Sequence, residues 1–210
     1  MLMRNFVATS DKFADWNTLL SAWIEQVNRY CSSIVNDNPY WHGEQTNVAF
    51  LTGVAFQLSD WFSLTEFPSA KDDPDLIHSY GRNDAWLKSA KSEYFIEAKQ
   101  LWLELSMPES LSTISLMMAE AEQAAYCVRP EALPTTPASN VYRVALVFIC
   151  PRYIPRPDFS FEEALEQLQQ QIRHQSYDAL AWTFPPQSYS YTSLRTSKIY
   201  PGVILLAKAI

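Results

Sequence analysis

The residues best suited to chemistry lie in one stretch, Gly81 to Lys99, GRNDAWLKSAKSEYFIEAK. It reads as two short strands joined by a polar turn, with Asp84 on the first and Glu97 and Lys99 on the second. Side chains alternate faces along a strand, so Glu97 and Lys99 share a face and leave Tyr94, Ile96 and Ala98 on the other. That second face is apolar and is expected to be buried. Two acids and a lysine build a poor core. They build a good site for a divalent cation: carboxylate oxygens suit Mg²⁺, which usually keeps several waters. A neighbouring lysine could orient the nucleophile or stabilise charge on a phosphate. The plain alternative is an exposed strand face whose Glu and Lys form a surface pair of little energetic value.

This arrangement resembles the PD-(D/E)XK nuclease superfamily, whose hallmark is an Asp, a variable gap, and Asp/Glu-x-Lys on the next strand. The matching residues are Asp84, then Glu97-Ala98-Lys99. The resemblance implies that Asp84 and Glu97 ligate Mg²⁺ or Mn²⁺ with the carbonyl of Ala98, and that Lys99 is catalytic. Asn83 stands where the superfamily has proline. A literal Pro-Asp occurs at Pro74-Asp75, but the surrounding KDDPD reads as a loop, which favours Asp84 over Asp75. The resemblance further implies a helix before the catalytic strands that supplies an acid, and Glu44 is the candidate. It equally suits a simple role against the helix N-terminal dipole. Gln100, directly after the lysine, is the expected partner for water or substrate. Gln123 and Tyr126, one turn apart on a later helix, match a pair found in some exonuclease branches.

The elements that must position these residues follow from periodicity. Phe13, Trp16, Leu20, Trp23, Val27, Cys31 and Ile34 predict an amphipathic helix over 11–35. Val48, Leu51, Ala55 and Leu58 predict a second over 44–61. Residues 63–68 read as a short strand and 69–76 as a loop. Residues 112–128, rich in Ala, Met and Leu, predict a helix packed on the sheet. The apolar run VYRVALVFIC over 141–150 reads as a central buried strand. Ser160 with Glu163 is a capping box opening a fourth helix. Residues 177–184 and 199–209 predict two more strands, and the loop between them carries Tyr189, Tyr191, Arg195 and Lys198 without an acid. The expected fold is α/β and restriction-endonuclease-like. It has a central mixed sheet flanked by helices, an extra N-terminal helix and C-terminal strands, all in one domain over 1–210.

Composition bounds the function. With 48% hydrophobic and 14% aromatic residues, the chain can bury a sizeable core. The three cysteines and three histidines lack zinc-site spacing. The four glycines form no dinucleotide or phosphate loop, and no G-x-S-x-G elbow occurs. The most apolar run is too short to span a membrane and the N-terminus has no signal-like apolar stretch, so a cytoplasmic protein is expected. The net charge of −7 argues against a general affinity for nucleic acid. However, residues 132–157 and 179–210 carry only cations. The expected function is a metal-dependent nuclease acting on nucleic acid, DNA foremost, with a homo-oligomer compatible. The alternatives are a binding or regulatory protein that keeps the fold without catalysis, and an unrelated α/β protein.

Overall fold

The computed structural model describes residues 2–34, 36–73, 76–107, 110–129 and 140–210. Among them, seven strands form one mixed sheet flanked by four α-helices. In chain order these are β1 (Asn5–Thr9), α1 (Trp16–Ser33), α2 (Glu44–Gln57), β2 (Phe62–Asp73), β3 (Leu76–Lys88) and β4 (Ser92–Glu104). They are followed by α3 (Ser110–Tyr126), β5 (Asn140–Arg152), α4 (Phe161–Arg173), β6 (Ala179–Thr183) and β7 (Val203–Ala209). The sheet order is β1-β6-β7-β5-β4-β3-β2. Only β4 and β5 run parallel, so they need a crossover, and α3 supplies it.

The core is two apolar layers, one on each side of the sheet. Tyr94, Ile96 and Ala98 of β4 and Val144, Leu146 and Phe148 of β5 face α1 and α2. Leu101 and Leu103 of β4 and Ala145, Val147 and Ile149 of β5 face α3 and α4. Residues 144–150 of β5 are fully buried, as a continuous apolar run requires of a strand covered on both faces. The predicted cap of α4 forms: Ser160 Oγ accepts the Glu163 N–H at 3.3 Å. Among the described residues no helix is long and apolar enough to cross a membrane.

Several boundaries differ from expectation. The first helix divides into a 3₁₀ turn at Asp11–Phe13 and α1, with Asp15 between them accepting the Ser89 hydroxyl at 2.5 Å instead of capping α1. The second helix ends at Gln57 rather than at residue 61. An edge strand, β1, was not anticipated, and it pairs antiparallel with β6. The largest difference concerns residues 62–88. The short strand and loop expected there form a long antiparallel ribbon, paired from Phe62↔Lys88 to Asp73↔Leu76. This ribbon positions the site. β3 is paired with β4 only from Lys88↔Glu93 to Ala85↔Ile96, whereas its pairing with β2 continues beyond. β4 meanwhile stays paired with β5 as far as Glu104↔Arg152. A gap therefore opens between β3 and β4 at Asp84 and Glu97.

Candidate active site

Where β3 leaves, the edge of β4 has backbone donors with no strand to receive them, and carboxylates take the strand's place. Asp84 Oδ2 accepts the Ala98 N–H at 2.7 Å. Glu44, the first residue of α2, accepts from the Gln100 N–H. A charge-assisted bond of this kind is worth about 1.5–3 kcal/mol. The N–H and C=O of one strand residue point to the same side, so the Ala98 carbonyl also faces the gap. Asp84 sits one ladder step beyond the Ala85↔Ile96 pair, opposite Glu97, and opposed residues share a sheet face. Glu97 is buried at 4% exposure, and Lys99, two residues on, is half-buried on the same side.

The sequence candidates thus divide. Asp84 and the Ala98 backbone meet at the gap, Glu44 is close enough to Lys99 and Asp84 to feel their charges, and strand alternation puts Glu97 on the Asp84 side of the sheet. The Gln100 side chain does not join them, since alternation sends it to the opposite face from Lys99. There it is locked in the core: its amide donates to the Tyr40 carbonyl at 3.1 Å and accepts from Asn47 Nδ2 at 2.7 Å. Only its backbone N–H reaches Glu44. Gln123 and Tyr126 lie exposed on the outer face of α3, with the Arg143 guanidinium 5.9 Å from the Tyr126 ring centre. Asp75 falls outside the described residues.

One residue at the site was not anticipated. Glu66 of β2 stands opposite Asp84, in the unchanged register between the Thr65↔Ala85 and Phe67↔Asn83 pairs, where that one pair is missing from the ladder. Its φ of 51° is left-handed, a conformation disfavoured for a residue with a side chain. Its carboxylate lies 3.8 Å from Arg82 Nη1. Glu44, Glu66, Arg82 and Asp84 line a cleft of about 320 Å³ between α2 and the ribbon. No sequence signal pointed to Glu66, because its role depends on a strand pairing that a single segment does not reveal.

The electrostatics are those of crowded acids. Burial pushes the Glu44 carboxyl above the usual range; the Lys99 ammonium pulls it back, and the Asp84 and Glu66 carboxylates push it further up. A carboxyl with a raised folded pKa binds protons more tightly folded than unfolded. Its contribution therefore favours folding at acid pH and is lost as pH rises through the folded value. Glu44→Gln is accordingly expected to raise the thermal midpoint of the metal-free protein at pH 7. The gain should vanish below about pH 4, where the unfolded carboxyl is itself protonated. Melting curves across that range, wild type against variant, check it.

The donor set suits a hard cation. Among the described residues no three or more His, Cys, Asp or Glu side chains converge closely enough to hold an ion by themselves. Mg²⁺ does not require that, because one or two carboxylates with waters suffice. The repulsion of Asp84 and Glu66 on Glu44 is what a bound cation would relieve. At the far end of β4, Glu104 accepts from Lys198 Nζ at 2.6 Å and lies 3.6 Å from Arg152 Nε. Of the loop candidates, Lys198 is thus ion-paired and Tyr189 packs edge-on against Phe161, whereas Arg195 is exposed. No family model, curated protein or solved structure matches this chain.

Proposed function

We propose that this protein is a Mg²⁺-dependent nuclease of the restriction-endonuclease-like class, hydrolysing phosphodiester bonds. The observation that carries the reading is the gap in the sheet, where Asp84 takes the Ala98 N–H and Glu44 takes the Gln100 N–H within reach of the Lys99 charge, with Glu97 on the Asp84 side by strand alternation. The element order from α2 to β5 (helix, three strands, helix, strand) supports it, since the motif resemblance implies that order. Asp84, Glu97 and the Ala98 carbonyl would hold the ion, and Glu44 would complete its surroundings. The ion's chemistry would be to polarise the phosphate and to lower the pKa of a water. Asp84 is oriented for this by the Ala98 N–H. Lys99 would pair with a phosphate oxygen and steady the charge that develops there. Glu44, held by the Gln100 N–H, would line the approach to the ion.

A second reading, a binding protein of the same fold without catalysis, is favoured by one observation: no three ligating side chains converge among the described residues. Calorimetric titration with Mg²⁺ and Mn²⁺, run beside an assay on single- and double-stranded oligonucleotides, tests both. Metal binding with EDTA-sensitive cleavage is expected. Nucleic-acid binding without cleavage under either metal selects the second reading.

A further inference from the structure

The freed edge of β4 continues past the acids. Ala98 and Gln100 give their edge N–H groups to Asp84 and Glu44, and the next residue in that alternation is Trp102. Its indole is 41% exposed. It lines a second cleft of about 380 Å³ together with His42, Glu44, Gln45 and Thr46. Glu44 and Gln45 also line the acidic cleft, so the α2 N-terminus is the shared wall between the two. The His42 side of this cleft is held in place: Asp37 accepts from Trp41 Nε1 at 2.8 Å and Tyr30 Oη at 2.7 Å, and contacts His42 Nε2 at 3.0 Å. Two residues beyond Trp102, about 7 Å along the strand, two cations meet the single carboxylate of Glu104. That group is net positive and lies beyond the residues that line the cleft.

We infer that Trp102 is a stacking platform for an unpaired base, and that the substrate enters as a single strand or a frayed end. The inference rests on the nuclease reading. Trp102 shares the Gln100 face of β4, opposite Lys99, so a phosphate beside Asp84 and Lys99 would have its neighbouring base across the open strand edge, on the far side of Glu44, in the second cleft. An exposed indole there offers a flat apolar face to any base, and a base still paired in a duplex cannot present its own. The net-positive group at Glu104, Arg152 and Lys198 would receive the next phosphate along.

Fluorescence anisotropy in a Lys99→Ala background with Mg²⁺ tests this without cleavage. The probes are a labelled oligothymidylate of about a dozen nucleotides and a blunt hairpin duplex. Trp102→Ala is expected to weaken oligothymidylate binding about tenfold, within the range for one lost base stack. Duplex affinity should be nearly unchanged, and Trp102→Phe should keep most of the single-strand affinity. Unchanged single-strand binding in Trp102→Ala, or equal losses on both probes, overturns the proposal and leaves the nuclease reading intact. If the parent binds neither probe, the nuclease reading falls and takes this inference with it. Matching melting temperatures for the two Trp102 variants exclude misfolding as the source of a loss.

Discussion

Glu97→Gln is expected to lower Mg²⁺-dependent cleavage about a thousandfold, the rate equivalent of losing roughly 4 kcal/mol of transition-state stabilisation. Glu97 is almost fully buried, and glutamine keeps its shape while removing its charge. The loss should therefore appear in activity and Mg²⁺ affinity, with little change in the melting temperature. Asp84→Asn should behave alike, because the amide oxygen can still accept the Ala98 N–H. Asp84→Ala should in addition destabilise the fold by about 1–3 kcal/mol, since it leaves that N–H without its acceptor. Lys99→Ala separates the roles: cleavage should fall as far as in Glu97→Gln, while calorimetry still detects Mg²⁺ binding. Cleavage at the wild-type rate in any of the three would remove that residue from the site. If Glu97→Gln unfolds the protein, Glu97 is a structural member of the sheet and the metal site must lie elsewhere.

The parts of this arrangement legible in the sequence are those governed by short-range alternation. The hairpin over Gly81–Lys99 could be read because Tyr94, Ile96 and Ala98 alternate with Glu97 and Lys99, and the fold buries the first set. β5 could be read from its unbroken apolar run, and α4 from the Ser160 cap. The same alternation should have excluded the Gln100 side chain. A residue adjacent to Lys99 in sequence must face the other way, and Gln100 duly joins Tyr40, Asn47 and Cys150 in the core. Sequence adjacency carried more weight there than strand geometry.

What was not legible depends on pairing between distant segments. The segment AKDD has no apolar alternation and reads as a loop. It is a strand because residues 69–73 pair with β3. The pairing of Thr65 and Phe67 with Ala85 and Asn83 in the same ribbon brings Glu66 opposite Asp84, and the early end of the β3–β4 ladder leaves Ala98 and Gln100 with donors for Asp84 and Glu44 to receive. β1 is short and only partly buried, and it is held as an edge by β6, whose sequence lies far down the chain. Each miss thus concerns where one strand stops accompanying another. That is also where the acids collect, because a strand edge without a neighbour needs acceptors.

The second large effect concerns folding, and two of the four glycines provide it as a matched pair. Gly202 precedes β7, beside the end of β6, where the chain passes against Thr183 and Phe184. A Cβ at this position would lie 2.3 Å from the Thr183 carbonyl oxygen, 2.3 Å from Phe184 Cδ1 and 2.9 Å from Phe184 Cα. The Phe184 ring could turn, but it is fully buried, and the other two atoms are backbone, Thr183 at the end of a strand paired on both sides and Phe184 directly after it. Relief requires moving β6 or β7, and overpacking of this kind costs about 3 kcal/mol. Gly53 is the reverse case. It is exposed within α2, and a Cβ there meets nothing within 4 Å. Its only cost to the protein is the backbone freedom of a glycine in a helix, about 1 kcal/mol relative to alanine. Urea unfolding should therefore move the midpoint far down for Gly202→Ala and modestly up for Gly53→Ala, with the slope unchanged in both. A wild-type midpoint for Gly202→Ala would mean that the β6–β7 approach is looser than the close packing described here. The buried Trp182, Phe184 and Ile204 on which that end of the sheet depends would then need a different arrangement.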